Sequence, residues 1–74
     1  SQIRLYPNPT KDRLYFTLPE ANEDWYVELY TLGGKKVISK PLLNNELDVR
    51  RVSFGMYVVK LLNKEGKEDK IIYL

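Results

Sequence analysis

Apolar and polar residues alternate in short runs along the chain, and no window of ten or more residues shows the i, i+3, i+4 recurrence of an amphipathic helix. The pattern therefore predicts strands throughout. Ile3 to Tyr6 forms the first run. It stops at Pro7 and Pro9, because each proline lacks a donor N–H and holds its predecessor extended. Asn8, between them, can accept from backbone N–H groups and brace a rigid corner that delivers Thr10 to Asp12 into the next strand. Arg13 to Leu18 is that second strand, with Leu14, Phe16 and Leu18 on one face and Tyr15 and Thr17 on the other. Pro19 closes it, and a polar loop runs to Asp24.

Trp25 to Tyr30 is the clearest strand, with Trp25, Val27 and Leu29 inward and Tyr26, Glu28 and Tyr30 outward. Leu32, Gly33, Gly34 and Lys35 predict a tight hairpin turn, since glycine tolerates the positive φ of primed turns. Lys36 to Lys40 returns antiparallel until Pro41. Asn44-Asn45 signals another turn, leading to Glu46 to Val49 with Leu47 and Val49 inward and Asp48 facing out or capping the following turn. After Gly55, Met56 to Leu62 reads as a central strand covered on both sides, with Tyr57, Val59 and Leu61 on one face. Tyr57 has the setting of a tyrosine corner, whose hydroxyl ties down a neighbouring loop. Residues 63–67 read as a hairpin loop with Gly66 as its left-handed residue, and Glu68 to Leu74 pairs back.

Seven short strands with regular turns define an all-β fold, a small immunoglobulin-like antiparallel β-sandwich. Seventy-four residues support one core only, so the chain is expected to be a single domain spanning residues 1–74. It starts without Met almost directly on strand residues, which suggests a fragment of a longer secreted protein. Its last strand, Ile71 to Leu74, reads as the natural carboxyl terminus.

Composition narrows the chemistry. With no His and no Cys, the usual nucleophile, base and metal-ligand pairings are absent, so neither an enzyme nor a cofactor or metal site is expected. The carboxylates of residues 19–24 invite a calcium site, but their spacing fits no known loop. Twelve basic and ten acidic residues are interspersed, which gives no one-signed field for nucleic acid. The adjacent pairs Lys35-Lys36 and Arg50-Arg51 read as solvated turn or edge residues that discourage sheet aggregation. No apolar run is long enough to span a membrane. Tyr15, Tyr26 and Tyr30 are expected to share an exposed face, either as a sugar-stacking platform or, preferred here, as cross-strand aromatic pairs.

Three segments together resemble one family: Leu5-Tyr6-Pro7-Asn8-Pro9-Thr10, the stretch Val27 to Val37 containing Gly33-Gly34-Lys35, and Gly55-Met56-Tyr57-Val58-Val59-Lys60. In order and spacing they are similar to the type A C-terminal sorting domain of the type IX, or Por, secretion system. The family commonly has Leu-Pro where this chain has Ser53-Phe54, and often ends in a basic residue where this one ends in Tyr73-Leu74. The resemblance implies a domain that follows a cargo domain in the same chain and is recognised in the periplasm by an outer-membrane translocon. A sortase-like peptidase then usually removes it at the cell surface of a Gram-negative bacterium, joining the cargo to anionic lipopolysaccharide. It places the signal largely in Gly55 to Leu74. Recognition is expected of Gly55, Tyr57, Val58, Val59, Lys60, Gly66, Lys70, Ile71, Ile72 and Leu74, and a structural role of Tyr6, Pro7, Asn8, Pro9, Gly33, Gly34 and Lys35. The alternatives are an accessory immunoglobulin-like module that binds carbohydrate or spaces domains, and an uncleaved sorting domain kept in a component of the secretion machinery.

Overall fold

The computed structural model describes residues 3–7, 12–18 and 24–74. They hold seven strands: β1 (Arg4–Tyr6), β2 (Arg13–Thr17), β3 (Tyr26–Thr31), β4 (Lys36–Pro41), β5 (Glu46–Asp48), β6 (Met56–Asn63) and β7 (Gly66–Tyr73). Two antiparallel sheets form, in the orders β1-β2-β5 and β4-β3-β6-β7. The alternation explains the assembly, because each sheet has one apolar face and must bury it against the other. Leu14 and Phe16 of β2 and Leu47 of β5 meet Val27 and Leu29 of β3, Val59 and Leu61 of β6 and Ile72 of β7, all at most 3% exposed. Each such side chain stabilises the fold by roughly 1.5–3 kcal/mol. Trp25 and Leu18, just outside their strands, pack half-buried on this core as their spacing predicts.

Local chemistry sets the turns. At the β3–β4 hairpin Gly34 has φ +97° and donates to the Thr31 carbonyl at 3.0 Å, while the Lys35 N–H donates to Thr31 Oγ1 at 3.0 Å. Asn44 and Asn45 both have φ +54°, the left-handed pair that a type I′ turn requires, and the Glu46 N–H donates to the Leu43 carbonyl at 3.1 Å. Asp48 caps the next turn by accepting the Arg50 N–H at 3.0 Å.

Four expectations need correction. The last hairpin is tighter than residues 63–67: Asn63 pairs directly with Gly66 around a two-residue loop, and Asn63 Oδ1 accepts the Glu65 N–H at 2.9 Å. β7 therefore starts at Gly66 rather than Glu68. Pro41 lies within β4 rather than beyond it, which an edge strand tolerates. β6 is central but covered on one side only, since its other face carries exposed Met56 and half-buried Val58, Lys60 and Leu62. Finally, Tyr15 lies in the three-stranded sheet while Tyr26 and Tyr30 lie in the four-stranded one, so the three share no face. Tyr15 stacks instead on Tyr6 of β1, with centroids 5.8 Å apart. β1 ends at Tyr6 as expected; Asn8, Pro9 and residues 19–23 of the acidic loop lie outside the described residues.

Candidate functional site

The segment expected to carry the signal folds as one hairpin. β6 and β7 pair in unbroken register from Met56↔Tyr73 to Asn63↔Gly66. Gly55 and Leu74 extend the ladder by exchanging both backbone hydrogen bonds, at 3.0 and 2.8 Å. In an antiparallel ladder such doubly bonded pairs alternate with pairs whose N–H and C=O groups point away. Counting from Leu74, the backbone groups of Tyr73, Ile71, Asp69 and Lys67 therefore point out of the β6–β7 ladder at the β7 edge.

The four strand edges differ sharply. β1 and β5 are three residues long. β4 carries Lys36, Lys40 and Pro41, and a bulge leaves Val37 out of register, since Leu29 pairs with Ile38 but Tyr30 with Lys36. Shortness, lysine, proline and bulges are the devices that prevent strand addition. β7 has eight residues, no proline and no bulge. An ion pair guards its first half. There Glu68 and Lys70, opposite buried Leu61 and Val59 on the inward face, bridge each other at 3.0 Å at the rim of the sandwich. The stretch Ile71 to Leu74 has no inward charge.

On the outward face of this hairpin, Met56 lies beside Tyr73 and Val58 beside Ile71. Met56, Ile71 and Tyr73 are 39%, 50% and 48% exposed, and Phe54 just upstream is 83% exposed. Below them a charged row is internally satisfied. Lys60 bridges Asp69 at 3.0 Å and sits 5.5 Å from the Tyr30 ring centroid. Lys36 bridges Glu28 at 3.0 Å, and the Tyr30 hydroxyl donates to Glu28 at 2.9 Å. These hydrogen bonds, that from Lys36 foremost, hold the Glu28 carboxyl below its ordinary range.

The expected recognition residues divide by burial. Tyr57, Val59 and Ile72 are in the core at 6%, 0% and 1% exposure, where they shape the hairpin without facing solvent. Val58, Lys60, Lys70 and Leu74 are half-buried, and Ile71, Gly55 and Gly66 are exposed. Tyr57 forms the expected corner: its hydroxyl donates to the Ser53 carbonyl at 2.8 Å and lies 3.1 Å from Ser53 Oγ, so Ser53 fixes the loop leading into β6. Of the expected structural residues, Gly33, Gly34 and Lys35 make the β3–β4 turn, Tyr6 ends β1 and Pro7 is exposed beyond it. Met56, Tyr73 and Phe54 are not among the residues expected from sequence to carry recognition. In the ladder Met56 and Tyr73 pair with each other on the solvent side of the hairpin.

No group of three His, Cys, Asp or Glu side chains that could hold a metal occurs among the described residues. No helix of the described residues is long and apolar enough to cross a membrane. The described residues thus form a small sandwich with one long strand, β7, at the edge of its four-stranded sheet. The sequence model of the secretion system C-terminal sorting domain matches residues 4–73, and the chain belongs to that family. It is thus a C-terminal sorting signal of type IX secretion, a route to the surface or exterior of Gram-negative bacteria, and the family is not one of enzymes. No curated protein matches the chain.

Proposed function

We propose that this sorting signal is read by strand addition at the outer edge of β7. The observation that supports the reading is the contrast between β7, eight residues in unbroken register, and the other three edges, each shortened, bulged or carrying proline. An added strand gains affinity from backbone hydrogen bonds to Asp69 and Ile71, and selectivity from the alternating outward side chains. The exposed Met56, Ile71 and Tyr73 add an apolar surface beside that edge. In this reading the partner is the outer-membrane translocon, which meets the domain in the periplasm at the end of a cargo chain. A sortase-like peptidase subsequently cleaves upstream of the domain and transfers the cargo to anionic lipopolysaccharide. The carbohydrate-platform alternative lacks its geometry, because Tyr15 lies in the other sheet from Tyr26 and Tyr30.

The test is a cargo carrying the domain with Glu68 to Leu74 deleted, followed by fractionation in a strain with intact type IX secretion. The cargo is expected in the periplasm. Normal surface display of the truncated protein would overturn the proposal.

A further inference from the structure

On the opposite edge of the four-stranded sheet, a cleft of about 470 Å³ opens between β4 and the connection from β5 to β6. Its volume lies within the range of about 300–1,000 Å³ typical of ligand sites. Val37, the residue that the β4 bulge leaves without a cross-strand partner, forms one wall with Ile38, and Val52 forms the other. A bulge re-aims the side chain it displaces; here Val37 is turned into the cleft rather than paired along the sheet.

The polar lining is asymmetric in charge. Asp48 is the carboxylate among the lining residues, and it is already engaged: Arg50 Nη2 lies 2.6 Å from Oδ2, with Arg50 Nε and its backbone N–H each 3.0 Å from Oδ1. Lys40 and Arg51 also line the cleft, and neither makes an ion pair with a described residue. Both are exposed. Ser53 and Tyr57 complete the lining, bonded to each other through the Tyr57 hydroxyl. Two unpaired cations beside three aliphatic side chains select a ligand that is both acidic and apolar. A partner strand cannot extend β4 there, because Pro41 and the bulge interrupt its edge, so binding would run through side chains.

We propose that this cleft binds an extended peptide segment carrying an acidic residue next to an apolar one, its carboxylate held by Lys40 and Arg51 and its apolar side chain set against Val37 and Val52. The site is independent of the β7 edge and stands or falls separately from it.

The test is an amide-shift titration of the isotope-labelled 74-residue chain with three probes: acetyl-Glu-Leu-Glu-Val-amide, the same peptide with lysine in place of glutamate, and inorganic phosphate. The acidic peptide is expected to give saturable shifts at residues 36–40 and 50–53 that weaken as salt is raised. Affinity should fall about tenfold or more in the Lys40→Gln/Arg51→Gln double variant, as charge-pair truncations at interfaces do, whereas Arg51→Lys should retain most of it. Both side chains are exposed, and an unchanged spectrum of the free variants establishes that they fold. The proposal is overturned if the acidic peptide gives no saturable shifts, if the lysine peptide or phosphate shifts the same residues equally, or if the double variant binds unchanged.

Discussion

Gly55 joins the loop to the signal hairpin with φ +152°, a conformation that residues bearing a Cβ rarely adopt. A Cβ built there would meet Tyr57 Cε1 at 3.6 Å, an ordinary contact, so the demand for glycine comes from the backbone and not from crowding. Gly55→Val should destabilise the domain by about 1–3 kcal/mol, read as a lower urea midpoint, and reduce cargo export. A stable, fully exported variant would show that the loop can re-adjust. Asp48 makes a different residue-scale prediction. Its hydrogen bonds to the Arg50 side chain and then to the Arg50 backbone hold its carboxyl well below the ordinary 3.8. A group whose folded pKa is depressed contributes stability that is complete above its unfolded pKa and lost as pH falls through its folded one. From about pH 5 to about pH 2 the natural domain should therefore lose more stability than Asp48→Asn, by a small margin because the pair is exposed. Parallel acid titrations of the two in urea would reveal the difference, and equal slopes would count against it.

At the scale of the element, the ladder parity of β7 separates folding from recognition. The Ile71 N–H points away from β6, so Ile71→Pro removes no internal hydrogen bond; it removes a donor from the edge offered to a partner. Ile72 is 1% exposed and faces inward in a doubly bonded pair with Tyr57. Ile72→Pro should thus cost about 3 kcal/mol or more and unfold the hairpin. The expected outcome is that Ile71→Pro keeps a cooperative urea transition but leaves its cargo in the periplasm, whereas Ile72→Pro loses both fold and export. Export of a folded Ile71→Pro cargo would argue that the edge is not where the signal is read. The inward Glu68–Lys70 bridge places two charges on the first half of this edge, where they oppose its burial against a second copy of the chain.

At the scale of the whole molecule, the described residues share one small core that carries their stability. A domain of 74 residues is expected to be stable by only about 4–11 kcal/mol, at the usual share per residue. Leu29→Ala, at a fully buried position of β3 away from the signal hairpin, should cost about 2–5 kcal/mol and lower the melting temperature markedly. Measuring export of that variant alongside its melting curve shows whether the machinery needs the folded sandwich; a destabilised but exported cargo would mean that the hairpin sequence suffices.

Much of this fold was legible in the sequence, because the information lay within a few neighbouring residues. The alternation at Leu14 and Phe16, or at Val27 and Leu29, requires a strand with one buried face, and Gly34, Asn44 and Asn45 supply the positive φ at which the chain reverses. Tyr57 in its corner was foreseeable for the same reason: its partner is Ser53, four residues away. Tertiary structure decided which sheet each strand joins, because a strand's neighbours come from distant parts of the chain. That separated Tyr15 from Tyr26 and Tyr30, left one face of β6 open, and turned Val37 into a cleft with Arg51. The sequence by itself thus determined the strands, their inward faces, most of the turns and the family. Only the assembled sheets placed β7 at an edge among the described residues, because being an edge is a relation between elements that no local pattern encodes.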